Sequence, residues 1–147
     1  MPLTELNHYF VRARNLERSR SFYCDALGFE VMPRPAFAFP GYWLGVGGKV
    51  QVHMGLDGIA EEVTYYFGTS SRSARDNAGV VDHIAFQGTE PEGLAQRLAK
   101  LGLPSRTRYF AEIQLFQIFV ADPDGLMIEL NFPGIAVAPL WASGGGV

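Results

Sequence analysis

The sequence predicts an α+β fold made of two copies of one unit, each running strand, helix, strand, strand, strand. Three observations carry this reading. The three histidines of the chain sit at matched points of a faint internal repeat, with Glu129 at the fourth: His8 and His53 are 45 positions apart, His83 and Glu129 46. His8 and His83 each stand near the start of an apolar run, Glu5–Val11 and Val80–Phe86. Each run leads into a helix-like stretch that closes on Leu-Gly, at Leu27-Gly28 and at Leu101-Gly102.

In the first unit, residues 4–13 alternate as a strand does, with Leu6, His8 and Phe10 on one face and Asn7, Tyr9 and Val11 on the other. Asn15 is a good helix N-cap, although the residue three further on is Arg18, so the capping box is incomplete. Leu16, Phe22, Tyr23, Ala26 and Leu27 form the apolar stripe of the helix, and Gly28 ends it. Phe29–Pro33 restarts as a strand, Ala36–Gly45 reads as a strand interrupted near Pro40-Gly41, and Gly47-Gly48 is a turn. Lys49–Met54 is the last strand of the unit, with Gln51 and His53 on one face and Val50 and Val52 on the other. Module one therefore covers about residues 4–55.

Residues 56–79 are the least regular stretch and read as a linker, with a lid over a pocket as the alternative. The second module, about 80–132, repeats the order. Val80–Gln87 is a strand with Val81, His83 and Ala85 on one face. Pro91–Leu101 is an amphipathic helix with Leu94, Leu98 and Leu101 at helical spacing and Thr89 as candidate N-cap. Ser105–Tyr109 is a weak strand. Ile113–Ala121, apolar on both faces, is a central one. Asp122-Pro-Asp-Gly125 is a β-turn, and Leu126–Phe132 is the last strand, with Met127, Glu129 and Asn131 on one face. The tail, 133–147, docks on the body or frays.

Composition narrows the class. A chain of 147 residues, 48% hydrophobic and 18% charged, fits one globular domain with a sizeable core. A net charge of −3 gives no reason to expect nucleic acid, and Arg12, Arg14, Arg18 and Arg20 are interleaved with acids as on a solvated helix face. Cys24 is the only cysteine, so no intrachain disulfide forms, and its place inside the first helix makes it a packed thiol. No leader-like start and no run of about 20 apolar residues is present, so the expected setting is cytoplasmic.

A duplicated unit with one nitrogen or carboxylate donor at each of four equivalent positions has the look of a divalent-metal site. Imidazole with carboxylate suits Zn²⁺, Fe²⁺, Ni²⁺, Mn²⁺ or Co²⁺, and two histidines plus one glutamate match the facial arrangement of non-haem Fe(II) oxygenases. The aromatic cluster Phe37, Phe39, Tyr42, Trp43, Tyr65 and Tyr66 reads as core packing, with a pocket for a planar ligand as the alternative.

Asn7-His8, Phe22-Tyr-Cys-Asp-Ala-Leu-Gly-Phe29, Asp82-His-Ile-Ala-Phe86 and Phe119-Val-Ala-Asp-Pro-Asp-Gly-Leu-Met-Ile-Glu-Leu130 are spread over residues 5–132. On these segments the chain resembles the vicinal oxygen chelate superfamily, which includes glyoxalase I, type I extradiol dioxygenases, fosfomycin-resistance thiol transferases and bleomycin-resistance proteins. The resemblance implies two βαβββ modules whose sheets curl around a metal-binding cleft. It implies His8, His53, His83 and Glu129 as metal ligands, and a homodimer acting on a small molecule. It further implies that the substrate chelates the ion through two vicinal oxygens while Glu129, or His53, handles a carbon-bound proton. His53 departs from the glyoxalase I pattern, which usually carries a glutamate there, and so is either a fourth ligand or an acid/base. The extradiol pattern has a tyrosine where this chain has Phe119 and a further histidine that this chain lacks; His53 or Tyr109 are the candidate substitutes. The leading expectation is a glyoxalase-like lyase or isomerase. Its alternatives are an Fe(II) ring-cleavage dioxygenase and, from another class, a metal-free drug-sequestering protein.

Overall fold

The computed structural model describes residue 6, residues 8–67 and residues 83–142. The chain divides into two compact units, Met1–Val80 and Val81–Val147. The first holds β1 (Tyr9–Ala13), α1 (Leu16–Ser21), β2 (Glu30–Met32), β3 (Gly41–Val46) and β4 (Lys49–Leu56), then a further helix, α2 (Ala60–Phe67). The second holds β5 (His83–Gln87), α3 (Pro91–Lys100), β6 (Ser105–Phe110), β7 (Leu115–Ala121) and β8 (Met127–Pro133). Each unit forms one four-stranded sheet, in the orders β1-β4-β3-β2 and β5-β8-β7-β6.

In both sheets the first strand of the unit lies beside the last, and this pair alone is parallel. A parallel pair cannot be closed by a hairpin; it needs a crossover, which the helix and the two intervening strands supply. Alternation then sorts the side chains. Val52 and Met54 of β4 are buried beside Val11, Ala13 and Leu44, and Phe22, Tyr23 and Ala26 are buried with them. In the second unit Phe116, Ile118, Val120, Ile128 and Phe132 join Leu98 of α3 in the core. Each such side chain contributes about 1.5–3 kcal/mol on burial. His53 and Glu129, each one position out of step with the core residues on either side of it, fall on the opposite faces.

Several boundaries differ from expectation for physical reasons. Asn15 does cap α1, its side chain accepting from the Arg18 backbone N–H at 2.9 Å. The helix does not run evenly to Leu27, however: Phe22–Ala26 is a π turn, and its wider spacing brings Phe22, Tyr23 and Ala26 all into the core. The segment before Gly41 is not a strand, since Pro33, Pro35 and Pro40 deny it ladder donors. Glu90, with φ 57°, takes the N-cap position of α3 in place of Thr89, and Pro91 opens the helix. The tail docks where it is described: Tyr109 donates to the Ile135 carbonyl at 2.7 Å, and Trp141 stands edge-on to Phe116 at 5.3 Å.

The expected linker, 56–79, is not irregular throughout. Leu56 ends β4 and residues 60–67 are helical. The helix is pinned by Glu62, fully buried and hydrogen-bonded to Arg12 of β1. Gly55 makes the room, because a Cβ there would lie 2.2 Å from Glu62 Oε2. The remainder of the linker, residues 4, 5 and 7, Val81, the side chains of Tyr65 and Tyr66, and the tail after 142 lie outside the described residues. Among the described residues no helix is long and apolar enough to cross a membrane.

Candidate functional site

The sequence-predicted residues come together as two pairs, one in each unit. In the first, His8 immediately precedes β1, and β1 runs beside β4 in the register Phe10↔His53. On the other side of β4 the register is Trp43↔His53. The result is a stack of three rings: His8 on His53 at 3.7 Å and 15°, and His53 on Trp43 at 4.3 Å and 7°. His53 is held to a pKa of about 4, by burial first, then by the charges of His8 and Arg34, so it is neutral near pH 7. Its Nδ1 is buried without a hydrogen-bond partner among the described residues, and so is Oε1 of Gln51, its neighbour on the same face of β4. Two orphaned buried polar atoms on one strand face leave bonding capacity that a water or a ligand atom would complete. The parallel rings of His8 and His53 keep their in-plane lone pairs in separate planes, so coordination by both would require one ring to turn.

In the second unit β5 pairs with β8 in the register Ala85↔Glu129, and β8 with β7 in the register Phe119↔Glu129. His83 Nε2 lies 3.2 Å from Glu129 Oε2. The other carboxylate oxygen accepts a 2.6 Å hydrogen bond from Gln117 Nε2, which also donates to Asn131 Oδ1 at 2.8 Å. Gln117 Oε1 in turn accepts from Arg108 Nε at 3.0 Å. Glu129 is therefore held at one oxygen and presents the other to His83. Among the described residues no cluster of three or more histidine, cysteine, aspartate or glutamate side chains is gathered at one point.

The donor set still suits a cation. Two donors each about 2.1 Å from one ion stand roughly 3.0–3.4 Å apart, and the His83–Glu129 separation falls inside that range. Tyr109 is removed from the chemistry: it pairs with Phe116, on the face opposite Gln117 and Glu129, and its hydroxyl is spent on Ile135. Tyr42 is likewise turned to Glu17 of α1. Phe37, Phe39 and Trp43 do cluster, with Phe37 stacked on Phe39 at 4.9 Å and 6.5 Å from Trp43. Cys24 is part-buried and burial raises its pKa, as expected of a packed thiol. Gln117 and Arg108 are the residues that the sequence reading missed. The available signal was a lone amide inside the apolar run Leu115–Val120 and the alternation Arg106-Thr-Arg108.

Comparison with known proteins gives a consistent answer. A family model for the Glyoxalase/Bleomycin resistance protein/Dioxygenase superfamily matches residues 5–130. "Glyoxylase I 4" of Arabidopsis thaliana is 32% identical over 142 residues, covering 94% of this chain and 76% of its own length. Among solved structures, a putative glyoxalase family protein from Bacillus anthracis superposes with a TM-score of 0.65 at 22% identity, covering 90% of this chain and 97% of that one. An antibiotic binding protein from a Streptomyces species does so with a TM-score of 0.64 at 17% identity, covering 91% and 99%.

Proposed function

Because the chain belongs to the glyoxalase, bleomycin resistance protein and dioxygenase superfamily, we propose that it is a divalent-metal-dependent enzyme with glyoxalase-like lyase or isomerase chemistry. The observation that carries this reading is the His83–Glu129 pair, 3.2 Å apart on one sheet face, with Glu129 anchored from behind by Gln117. His8 joins them as a ligand, and His53 serves as a fourth ligand or as an acid/base. They come from this chain or from its partner in a homodimer. A bound Zn²⁺, Fe²⁺, Ni²⁺, Mn²⁺ or Co²⁺ would supply positive charge for the negative charge developing on two vicinal substrate oxygens. Glu129 takes the carbon-bound proton on Oε2, the oxygen not engaged by Gln117, and returns it to the neighbouring carbon to complete the isomerisation.

The test is ion binding by the full chain, purified without chelator and reconstituted anaerobically, followed by two assays. Stoichiometric binding that Glu129→Gln and His83→Ala each abolish, with isomerisation of an α-ketoaldehyde hemithioacetal, supports the reading. Rapid oxygen uptake on catechols with Fe²⁺ would instead assign ring cleavage. A second reading, a metal-free binding protein, is favoured by the His8–His53–Trp43 stack, which a planar ligand would extend by lying on one of its end rings. Failure to bind any of the five ions would establish it over the first.

A further inference from the structure

The sheet face that carries Glu129 also carries two arginines for which the metal chemistry has no use. β6 pairs with β7 in the register Arg106↔Phe119 and Arg108↔Gln117, and β7 pairs with β8 in the register Phe119↔Glu129. Alternation therefore sets both arginines on the face of Glu129. Each lies against an aromatic ring and not against a carboxylate. Arg106 Cζ is 4.4 Å from the Phe119 centroid, and Arg108 Cζ is 5.3 Å from the same centroid and 4.5 Å from that of Phe110. Among the described residues Arg108 makes one hydrogen bond, through Nε to Gln117, and neither arginine has an acidic partner.

Arginines on an edge strand are commonly no more than a charged guard against strand pairing. Two features separate this pair from such a guard. Both guanidiniums converge on one buried ring, Phe119, so like charges are held together with no acid between them. And Arg108 is oriented by Gln117, a 3% exposed amide whose other bonds run to Glu129 and Asn131. Both arginines are exposed, and the Gln117 bond sets the direction of Arg108 while leaving the end of its guanidinium open to a ligand. The fork of each guanidinium matches an oxyanion, and lying on an aromatic face costs it little of its donor capacity.

We propose that Arg106 and Arg108 form an anion subsite, and that the substrate carries an oxyanion substituent, a carboxylate or a phosphonate, within about 5–10 Å of the Glu129 carboxylate, one to two strand spacings away. The substrate class is then a small organic acid. This deepens the proposed function and rests on it only in taking the Glu129 face as the substrate face.

The experiment titrates the metal-free full chain with benzoate, phenylphosphonate and the neutral benzamide, reads affinity from the resonances of the small molecule in every variant, and uses the Arg106 and Arg108 Nε–H shifts to place the site in the wild type. Saturable shifts are expected with at least one of the two anions, and which one binds more tightly separates carboxylate from phosphonate. Benzamide should bind at least about tenfold more weakly, as should the anions to the Arg106→Gln/Arg108→Gln double variant. Arg97→Gln, on α3, should bind as the wild type does. If the double variant does not fold, Arg106→Gln alone, which breaks no hydrogen bond among the described residues, should still weaken binding several-fold. Equal binding of benzamide, undiminished binding by the variants, or no saturable shift with either anion would overturn the inference. Because no ion is needed, a chain that binds anions but no metal refutes only the metal reading, and the reverse result refutes only this one.

Discussion

Gln117 donates to Glu129 Oε1 at 2.6 Å, and through its own carbonyl oxygen ties that carboxylate to Arg108 on the next strand. A metal-ligating candidate of the second unit, Glu129, is thus set by a residue that is not itself among the candidate ligands. Replacing Gln117 by the similarly sized leucine would free Glu129 to rotate. Divalent-ion affinity of the apoprotein is expected to fall about 10–100-fold, read by titration, with the melting temperature nearly unchanged. An affinity equal to wild type would show that Glu129 needs no support.

His53 tests the ligand set from the other unit. Its unpartnered Nδ1 and its place between His8 and Trp43 suit a neutral donor. His53→Gln is expected to lower ion affinity by about tenfold or more. Retained affinity with lost turnover would assign His53 to proton transfer instead.

Gly55 is required by its neighbour and not by its backbone. An added Cβ would stand 2.2 Å from Glu62 Oε2 and press on the buried Arg12–Glu62 pair that anchors α2. Gly55→Ala is expected to cost about 1–3 kcal/mol, as overpacking does, seen as a lower urea midpoint.

The same carboxyl makes stability depend on pH. Burial raises the Glu62 pKa above 4.5; the charge of Arg12 and its hydrogen bond, then Arg34, oppose the rise, and Asp57 adds to it. A carboxyl that holds its proton more tightly when folded contributes stability that is complete below its unfolded pKa and is lost as pH rises through its folded one. Relative to Glu62→Gln, the wild type should therefore lose stability as pH rises above about 4.5. Urea midpoints across that range check it; a relative gain with rising pH would mean that attraction to Arg12 outweighs burial.

By itself the sequence determined which side chains share a strand face, where α1 begins, and that two similar units follow one another. These are local properties: alternation, an Asn cap, a terminal glycine. It also determined the candidates, since His8, His53, His83 and Glu129 are matched by position alone. Only the tertiary structure decided which strands adjoin. Placing the first strand of each unit parallel to the last sets His8 against His53 and His83 against Glu129, and a crossover of that kind leaves no mark in the residues it joins. The partners follow from the same step. In the sequence Gln117 is one amide in an apolar run and Glu62 one acid in the stretch 56–79; the fold brings Glu129 and Arg12 to them. A hydrogen bond between distant residues is a property of the pair, and neither member carries it alone.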